Sequence, residues 1–142
     1  MSTPTPGRRL IAGIVLVAVV ATAAVARLRY TERHSRGSSP AAAVQGFVSA
    51  LAEHRFDAAI PYLSERQRAQ IIPLTLEVRT TNLERRTGRI SAVRGQTRWQ
   101  VGPRAFAVAD ANTQHAGGLQ LGFGLVRDAD GWRIDELYDL YR

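Results

Sequence analysis

The sequence predicts an α+β domain that follows a single membrane-spanning helix. Three observations lead to this fold class: seventeen uncharged residues from Leu10 to Ala26, a helical spacing of apolar residues up to Gly88, and a strand-like alternation from Ile90 onwards. Helices followed by antiparallel strands are typical of domains in which the helices cover one face of the sheet. The roughly 100 residues after the N-terminal segment suffice for one small hydrophobic core.

The uncharged run is expected to cross a bilayer. It has no polar face for an amphipathic helix, and at about 1.5 Å per residue it reaches roughly 25 Å, the short end of a membrane span. Arginines at positions 8, 9, 27 and 29 bracket it, and their long side chains reach the headgroups. We expect a cytoplasmic N-terminal tail over residues 1–9, a transmembrane helix or signal anchor over 10–28, a linker over 29–38 and a folded domain over 39–142.

Two questions about this segment have alternative answers: whether it is cleaved, and on which side of the membrane it places the domain. Ala24-Val25-Ala26 is a small-x-small site of the kind that signal peptidase cuts, but the run exceeds the roughly 7–15 apolar residues of a signal peptide, which favours an uncleaved anchor. The arginines on its C-terminal side would by themselves keep the domain in the cytoplasm. The chain has no cysteine, which excludes a lipoprotein anchor and a disulfide framework.

The net charge of +7 does not indicate nucleic-acid binding, because the charge is unevenly placed. Residues 1–36 hold six arginines and one acidic residue, whereas residues 37–142 hold thirteen arginines and eleven acidic residues. The excess therefore flanks the membrane segment, where anionic headgroups attract it. We expect the lipid bilayer as a partner of residues 10–28, and no nucleic acid.

The first helix of the domain is expected to begin at Ser39-Pro40. A hydroxyl side chain caps a helix well, and proline suits the first helical position. The apolar residues that follow at helical spacing form one face of this helix: Val44, Phe47, Val48 and Leu51.

Two further helices are expected before the sheet. Phe56 to Leu63 predicts a short one. Another begins at Ser64, where Gln67 completes a capping box. Pro73 interrupts or kinks that helix, which then resumes through Val78 and Leu83 and ends where Gly88 would supply a left-handed C-cap.

Strands account for the rest of the chain. We expect them over residues 90–93, 99–101, 104–112, 119–127 and 132–138, with hairpin turns at Gly117-Gly118 and Asp130-Gly131. In the clearest strand four residues share one face: Leu119, Leu121, Phe123 and Leu125. Gly122 and Gly124 on the other face are expected to relieve strand curvature or to let a helix approach.

Three stretches of the sequence carry a resemblance to one kind of domain: Ser39-Pro40 with Val44, Phe47 and Val48; Phe56-Asp57-Ala58-Ala59 leading to Leu63-Ser64; and Gly131-Trp132-Arg133-Ile134-Asp135. They resemble the opening helices and the closing strand of nuclear-transport-factor-2-like domains, over about residues 39–138. The resemblance implies a curved antiparallel sheet that wraps around the helices as a cone with an open mouth.

A membrane anchor followed by such a domain is also the layout of bacterial envelope accessory proteins. It resembles the Mce-associated membrane proteins of actinobacteria and the cone-fold inner-membrane component of type IV secretion systems. In those families the domain faces away from the cytoplasm. The resemblance implies the same orientation here, with the protein at the bacterial cytoplasmic membrane.

No motif for catalysis or metal binding is present in the sequence. His34, His54 and His115 have no metal-ligand spacing, and we expect them to be exposed. Enzymes that share the cone fold place an Asp or His base in the cavity, and the resemblance makes Asp110, with His54 or Tyr62, the candidates. The favoured interpretation of Asp110 is instead a carboxylate at a strand end or turn that faces water. Five aromatic residues are expected to form either the core or the lining of a pocket: Trp99, Trp132, Phe106, Phe123 and Tyr138.

Two functions follow from these observations. The favoured one is a non-catalytic accessory protein of the envelope, without cofactor or metal, whose extracytoplasmic domain binds partner proteins of a larger membrane or cell-wall complex. The alternative is a small-ligand-binding protein, or an isomerase- or cyclase-like enzyme that uses a pocket carboxylate. A filled cavity and an exposed apolar patch would favour the first, whereas a buried ionisable group in an open pocket would favour the second.

Overall fold

A computed structural model describes residues 37–138 of the chain, so the predicted membrane segment over 10–28 lies outside the described residues. Among the described residues, no helix has the length and apolar character needed to cross a membrane. The elements, in chain order, are α1 (Pro40–Ala52), α2 (Phe56–Ala59), a 3-10 turn (Ile60–Tyr62), α3 (Glu65–Arg68), α4 (Pro73–Thr87), β1 (Ile90–Val101), β2 (Arg104–Thr113), β3 (Gly117–Asp128) and β4 (Gly131–Leu137).

The predicted start of the first helix is confirmed. The side chain of Ser39 accepts a hydrogen bond from the backbone N–H of Ala42, and Pro40 is the first helical residue. The cap satisfies one of the four N–H groups that a helix leaves unpaired at its start. The apolar residues of α1 are buried, as their spacing predicts.

Of the two alternatives predicted for residues 64–88, an interruption or a kink at Pro73, the interruption is confirmed, because two separate helices lie there. Ser64 caps α3 by accepting from the N–H of Gln67, but α3 ends at Arg68 and Pro73 begins α4 rather than bending a longer helix. Proline fits the first helical turn, where its missing N–H costs nothing. Gly88 ends α4 with φ 81° and ψ 175°, which is not the left-handed helical conformation that we expected.

The four strands form one antiparallel sheet in the order β1-β2-β3-β4, so the predicted α+β class is confirmed. The two short strands expected over 90–93 and 99–101 are one continuous strand, β1, with register shifts between Ser91 and Arg94 and between Thr97 and Trp99. The polar residues between the shifts break the alternation, because β1 is an edge strand and is mostly exposed. A third shift lies between Gly124 and Leu125, and such bulges bend and twist a sheet.

One face of the sheet packs on the helices and forms the core. Phe47 of α1 meets Phe123 of β3 edge-to-face with ring centroids 5.8 Å apart, and both side chains are fully buried. Leu121 and Leu125 are buried beside Phe123, as predicted for that face. Trp132 is 3 % exposed, which confirms it as a core residue of the closing strand.

Small side chains let α1 lie close to the sheet. The residues of β2 that face the helices are alanines, at positions 105, 107, 109 and 111. On β1 the neighbouring position is Gly95, where a Cβ atom would overlap the carbonyl oxygen of Ala41 in α1. A helix therefore approaches the sheet at Gly95. Gly124 instead lies at a register shift, and a Cβ atom there would meet the side chain of Glu136.

The contact at Gly95 gives a direct test of this packing. Gly95→Ala should lower the free energy of unfolding by about 1–3 kcal/mol, because the new methyl group forces α1 away from the sheet. Gly118→Ala is the matched control, since a Cβ there meets nothing within 4 Å and a surface change of this kind costs less than about 0.5 kcal/mol. Urea denaturation of both variants measures the difference, and equal stabilities would contradict the close approach of α1.

Candidate functional site

Asp110, the carboxylate that the sequence singles out, lies in the middle of β2 on the face turned away from the helices. Its strand neighbours on that face are Phe106 and Val108, as predicted. Both carboxylate oxygens accept hydrogen bonds from amide groups: Oδ2 from Nε2 of Gln96 at 2.8 Å and Oδ1 from Nε2 of Gln120 at 2.7 Å. Both oxygens of this carboxylate therefore accept from neutral amide donors.

A pocket of about 310 Å³ lies beside Asp110. Arg94, Asp110 and Gln120 form one row across the three strands β1, β2 and β3. Ala92, at the first register shift of β1, borders the pocket and has φ 47°, a conformation that is uncommon for a residue with a side chain. The remaining lining residues are Ala111, Asn112, Gly118 and Leu119.

The other two candidates for a catalytic base lie elsewhere. His54 follows α1, is exposed as expected, and has its Nε2 2.9 Å from Oε2 of Glu84 in α4. Tyr62 packs on Gly46 of α1. Both belong to the helical side of the sheet, whereas Asp110 is on the opposite face. The three candidates therefore do not share one cavity, because alternation along β2 turns Asp110 away from the helices.

The five predicted aromatic residues divide into two sets. Trp132 and Phe123 are buried in the core between the sheet and the helices. On the outer face Trp99 stacks on Phe106 with centroids 6.5 Å apart, and Phe106 meets Tyr138 at 5.9 Å. The core interpretation is thus right for Trp132 and Phe123, and the pocket interpretation is right for the other three residues.

The outer aromatic cluster borders a second, smaller pocket, of about 70 Å³. Charged residues stand at its margin, among them Arg104 and Glu136. The hydroxyl of Tyr138 donates a hydrogen bond to the carboxylate of Glu136, and this bond, together with burial, raises the pKa of Tyr138.

The densest polar cluster of the described residues joins α3 to β4 around Asp135. Ser64 donates its hydroxyl to Oδ1 of Asp135 at 2.6 Å, and Arg66 donates to both carboxylate oxygens, at 3.1 and 2.9 Å. The backbone carbonyl of Asp135 accepts from the side chains of Arg66 and Gln67. Asp135 appears in the predicted closing strand, but nothing in its local sequence indicates these partners.

The cluster keeps Asp135 ionised in the folded protein. Burial by itself would raise the pKa of Asp135, but the hydrogen bonds from Arg66 and Ser64 and the charges of Arg66 and Arg104 outweigh it and lower the pKa below its ordinary value. Hydrogen bonds to the charged form of a carboxylate have this effect.

Gln67 shows that the predicted capping box forms only in part. Its side chain reaches Asp135 instead of the backbone of Ser64, whose N–H donates to the carbonyl of Ile134. The position that the sequence assigns to a local cap therefore serves a long-range contact.

An apolar surface on α4 is the last candidate. Ile72, Leu74 and Val78 are each more than half exposed, and Leu74 and Val78 lie one helical turn apart, so that their side chains are neighbours. We call these three residues the α4 surface.

Neither a metal ligand set nor a relative points to an activity. Within residues 37–138 there is no group of three or more His, Asp or Glu side chains that is arranged to hold a metal ion. The sequence matches no protein-family model and no curated protein. Geometry and chemistry of the chain's own residues are therefore the basis for assigning a function.

The Asp135 cluster predicts a pH-dependent stability. Asp135→Asn should lower the free energy of unfolding by about 1–3 kcal/mol at pH 7, since charge-assisted hydrogen bonds to a partly exposed group are lost. The wild-type advantage should be complete above the unfolded carboxyl pKa of about 3.9 and disappear as the pH falls through the lower folded-state pKa.

Urea denaturation at pH 7 and near pH 2 measures this effect. Asp130→Asn, at an exposed carboxylate in the turn before β4, serves as the control and should change little at either pH. A deficit of Asp135→Asn that persists undiminished at the lower pH would show that ionisation of Asp135 is not its source.

Proposed function

We propose that this protein is a single-pass accessory protein of the bacterial cytoplasmic membrane whose extracytoplasmic domain binds a partner protein and catalyses no reaction. In this proposal residues 10–28 are the anchor, because the seventeen uncharged residues between arginine pairs suit a bilayer core and exceed the usual length of a cleaved signal. The observation that carries the binding role is the exposed α4 surface.

The α4 surface has the properties of a protein contact. Isolated exposed apolar residues are common on monomers, but adjacent large ones at a surface mark contacts with other molecules. The helix already buries Leu76, Thr80 and Leu83 on its inner side. Leu74 and Val78 place a second apolar patch on the outer side of the first turns of α4, and an exposed apolar patch of this kind favours a contact with another molecule.

A non-catalytic role is supported by the packing between the helices and the sheet. Phe47 and Phe123 fill the space between α1 and the sheet, which is where enzymes of the cone fold hold their base. Asp110 lies on the opposite face with both oxygens bonded to glutamine amides.

We also propose that the domain is a nuclear-transport-factor-2-like cone. Helices on one face of a four-stranded antiparallel meander support this assignment. Three register shifts in the sheet supply the curvature that a cone requires. An outward-facing domain follows from the resemblance to envelope proteins of the same layout.

One observation favours the alternative of small-ligand binding. The 310 Å³ pocket on the outer face brings Arg94 and Asn112 next to Asp110. These groups suit a small polar ligand held by hydrogen bonds rather than one that is chemically transformed.

Site-specific photo-crosslinking in intact membranes tests the proposed function. A photoreactive residue at Leu74 or Val78 of the full chain should give the same discrete crosslinked product with an envelope protein. A photoreactive residue at Gln114, exposed in the turn between β2 and β3, is the positional control and should give none.

A charge on the α4 surface provides the matched variant. With the photoreactive residue at Ile72, Leu74→Glu should abolish the crosslink, whereas Arg85→Glu on the same helix should preserve it. Equal labelling at all positions, or a product that contains only a second copy of this chain, would contradict partner binding by α4.

A further inference from the structure

Three points of the chain meet at one end of the sheet. The carbonyl of Gly37 accepts from the N–H of Trp132 at 2.9 Å, which places the start of the domain beside the start of β4. The carbonyl of Pro103, in the turn between β1 and β2, accepts from the N–H of Arg127 at 2.8 Å. The β1–β2 turn, the β3–β4 turn and the residue that leads back to segment 10–28 therefore lie together.

The same end carries exposed apolar and cationic side chains. Val101 is 72 % exposed and Trp99 is 51 % exposed. Arg98, Arg104 and Arg127 are exposed around them. We call residues 98–104 the hairpin tip.

The carboxylates at this end do not cancel the positive charge of the tip. Asp128 and Asp130 lie in the neighbouring β3–β4 turn, and Oδ2 of Asp128 is 3.6 Å from Nε of Arg133. Asp128 is thus matched by a fourth arginine. Asp130 and Glu136, which borders the pocket beside Trp99 and Arg104, offset two of the remaining three arginines, so the end of the sheet keeps a small positive excess.

We infer that the hairpin tip rests in the headgroup region of an anionic bilayer, with Trp99 and Val101 inserted and the arginines on the phosphates. This inference rests on the proposed function, because it takes residues 10–28 to be anchored in that bilayer. It adds a second membrane contact, made by the folded domain itself.

The length of chain before the domain supports the bilayer as the occupant of this surface. Nine residue steps separate Leu28 from Gly37, and a chain of that length spans at most about 30 Å when fully extended. A globular domain of about 100 residues has a radius of gyration of about 13 Å. An anchored segment 10–28 would therefore hold the Gly37 end within about 30 Å of the membrane, and such a tether populates contacts that would be weak between separate molecules.

The chemistry of the tip also suits lipid headgroups. Tryptophan collects at the membrane interface because its ring is apolar and its N–H is polar. The ring of Trp99 is supported from behind by Phe106, so that little freedom is lost on insertion. Arginine beside it binds phosphate through several N–H donors at once.

Fluorescence of the full chain in vesicles tests this inference. The chain contains two tryptophans, and Trp132 is shielded in the core. In vesicles of phosphatidylglycerol and phosphatidylcholine with bromine on the upper acyl chain, total emission should fall by up to about half, the share of one interfacial tryptophan. Trp99→Phe should abolish the loss, and acrylamide in the water should quench the wild type little.

Two variants separate the tip from other apolar surfaces. Val101→Glu should remove the quenching by brominated lipid, whereas Val78→Glu on the α4 surface should leave it unchanged. Trp99 that is quenched by acrylamide but not by brominated lipid, in protein that resists alkaline extraction from the vesicles, would overturn the inference while leaving the anchor intact. A full chain that alkaline extraction releases would instead refute the anchor and the inference with it.

Discussion

The carboxylate of Asp135 joins α3 to β4, and the position of this short helix at the edge of the sheet depends on it. The register shift in β4 pairs Ile134 with Leu125 and Glu136 with Gly124, which leaves Asp135 outside the regular ladder. Its side chain and carbonyl are free to bind residues 64–67, and Leu63 forms a parallel bridge with Ile134. The bulge thus makes this edge strand the attachment point for α3, and it also protects that edge from other chains.

The two faces of the sheet are built for different purposes. Alanines on the inner face of β2 and Gly95 on β1 allow α1 to approach the backbone, so the core is thin and tolerates little added volume. The outer face carries the larger side chains Phe106 and Val108 and has no helix of the described residues on it. Ligands or surfaces that meet the sheet therefore meet this outer face.

Local signals account for the parts of the fold that the sequence predicts correctly. Ser39-Pro40 is a cap that acts within three residues, and the alternation in β3 follows from burial of one face. Predictions failed where the position of a residue depends on a partner that is distant in sequence. Gln67 was assigned to a local cap but binds Asp135, 68 residues away. The middle of β1 was not predicted as a strand, because an exposed edge strand carries polar residues that do not alternate with apolar ones. The face of Asp110 followed from alternation, but its glutamine partners and the position of the helices did not.

The two surfaces that we assign to partners lie on opposite sides of the sheet. The hairpin tip belongs to the outer face, through the stacking of Trp99 on Phe106. The α4 helix packs mainly on the other helices. It meets the sheet near its C-terminal end, where Glu84 accepts from the backbone N–H of Ile90 in β1 and the carbonyl of Thr87 accepts from the N–H of His115 in the β2–β3 turn. Contact of the tip with a bilayer therefore leaves the α4 surface accessible. On our proposal the domain is held to the membrane at two points, by its linker and by the tip. Such a domain has less freedom to rotate than one held by the linker alone, so a protein that binds α4 would meet it in a restricted set of orientations.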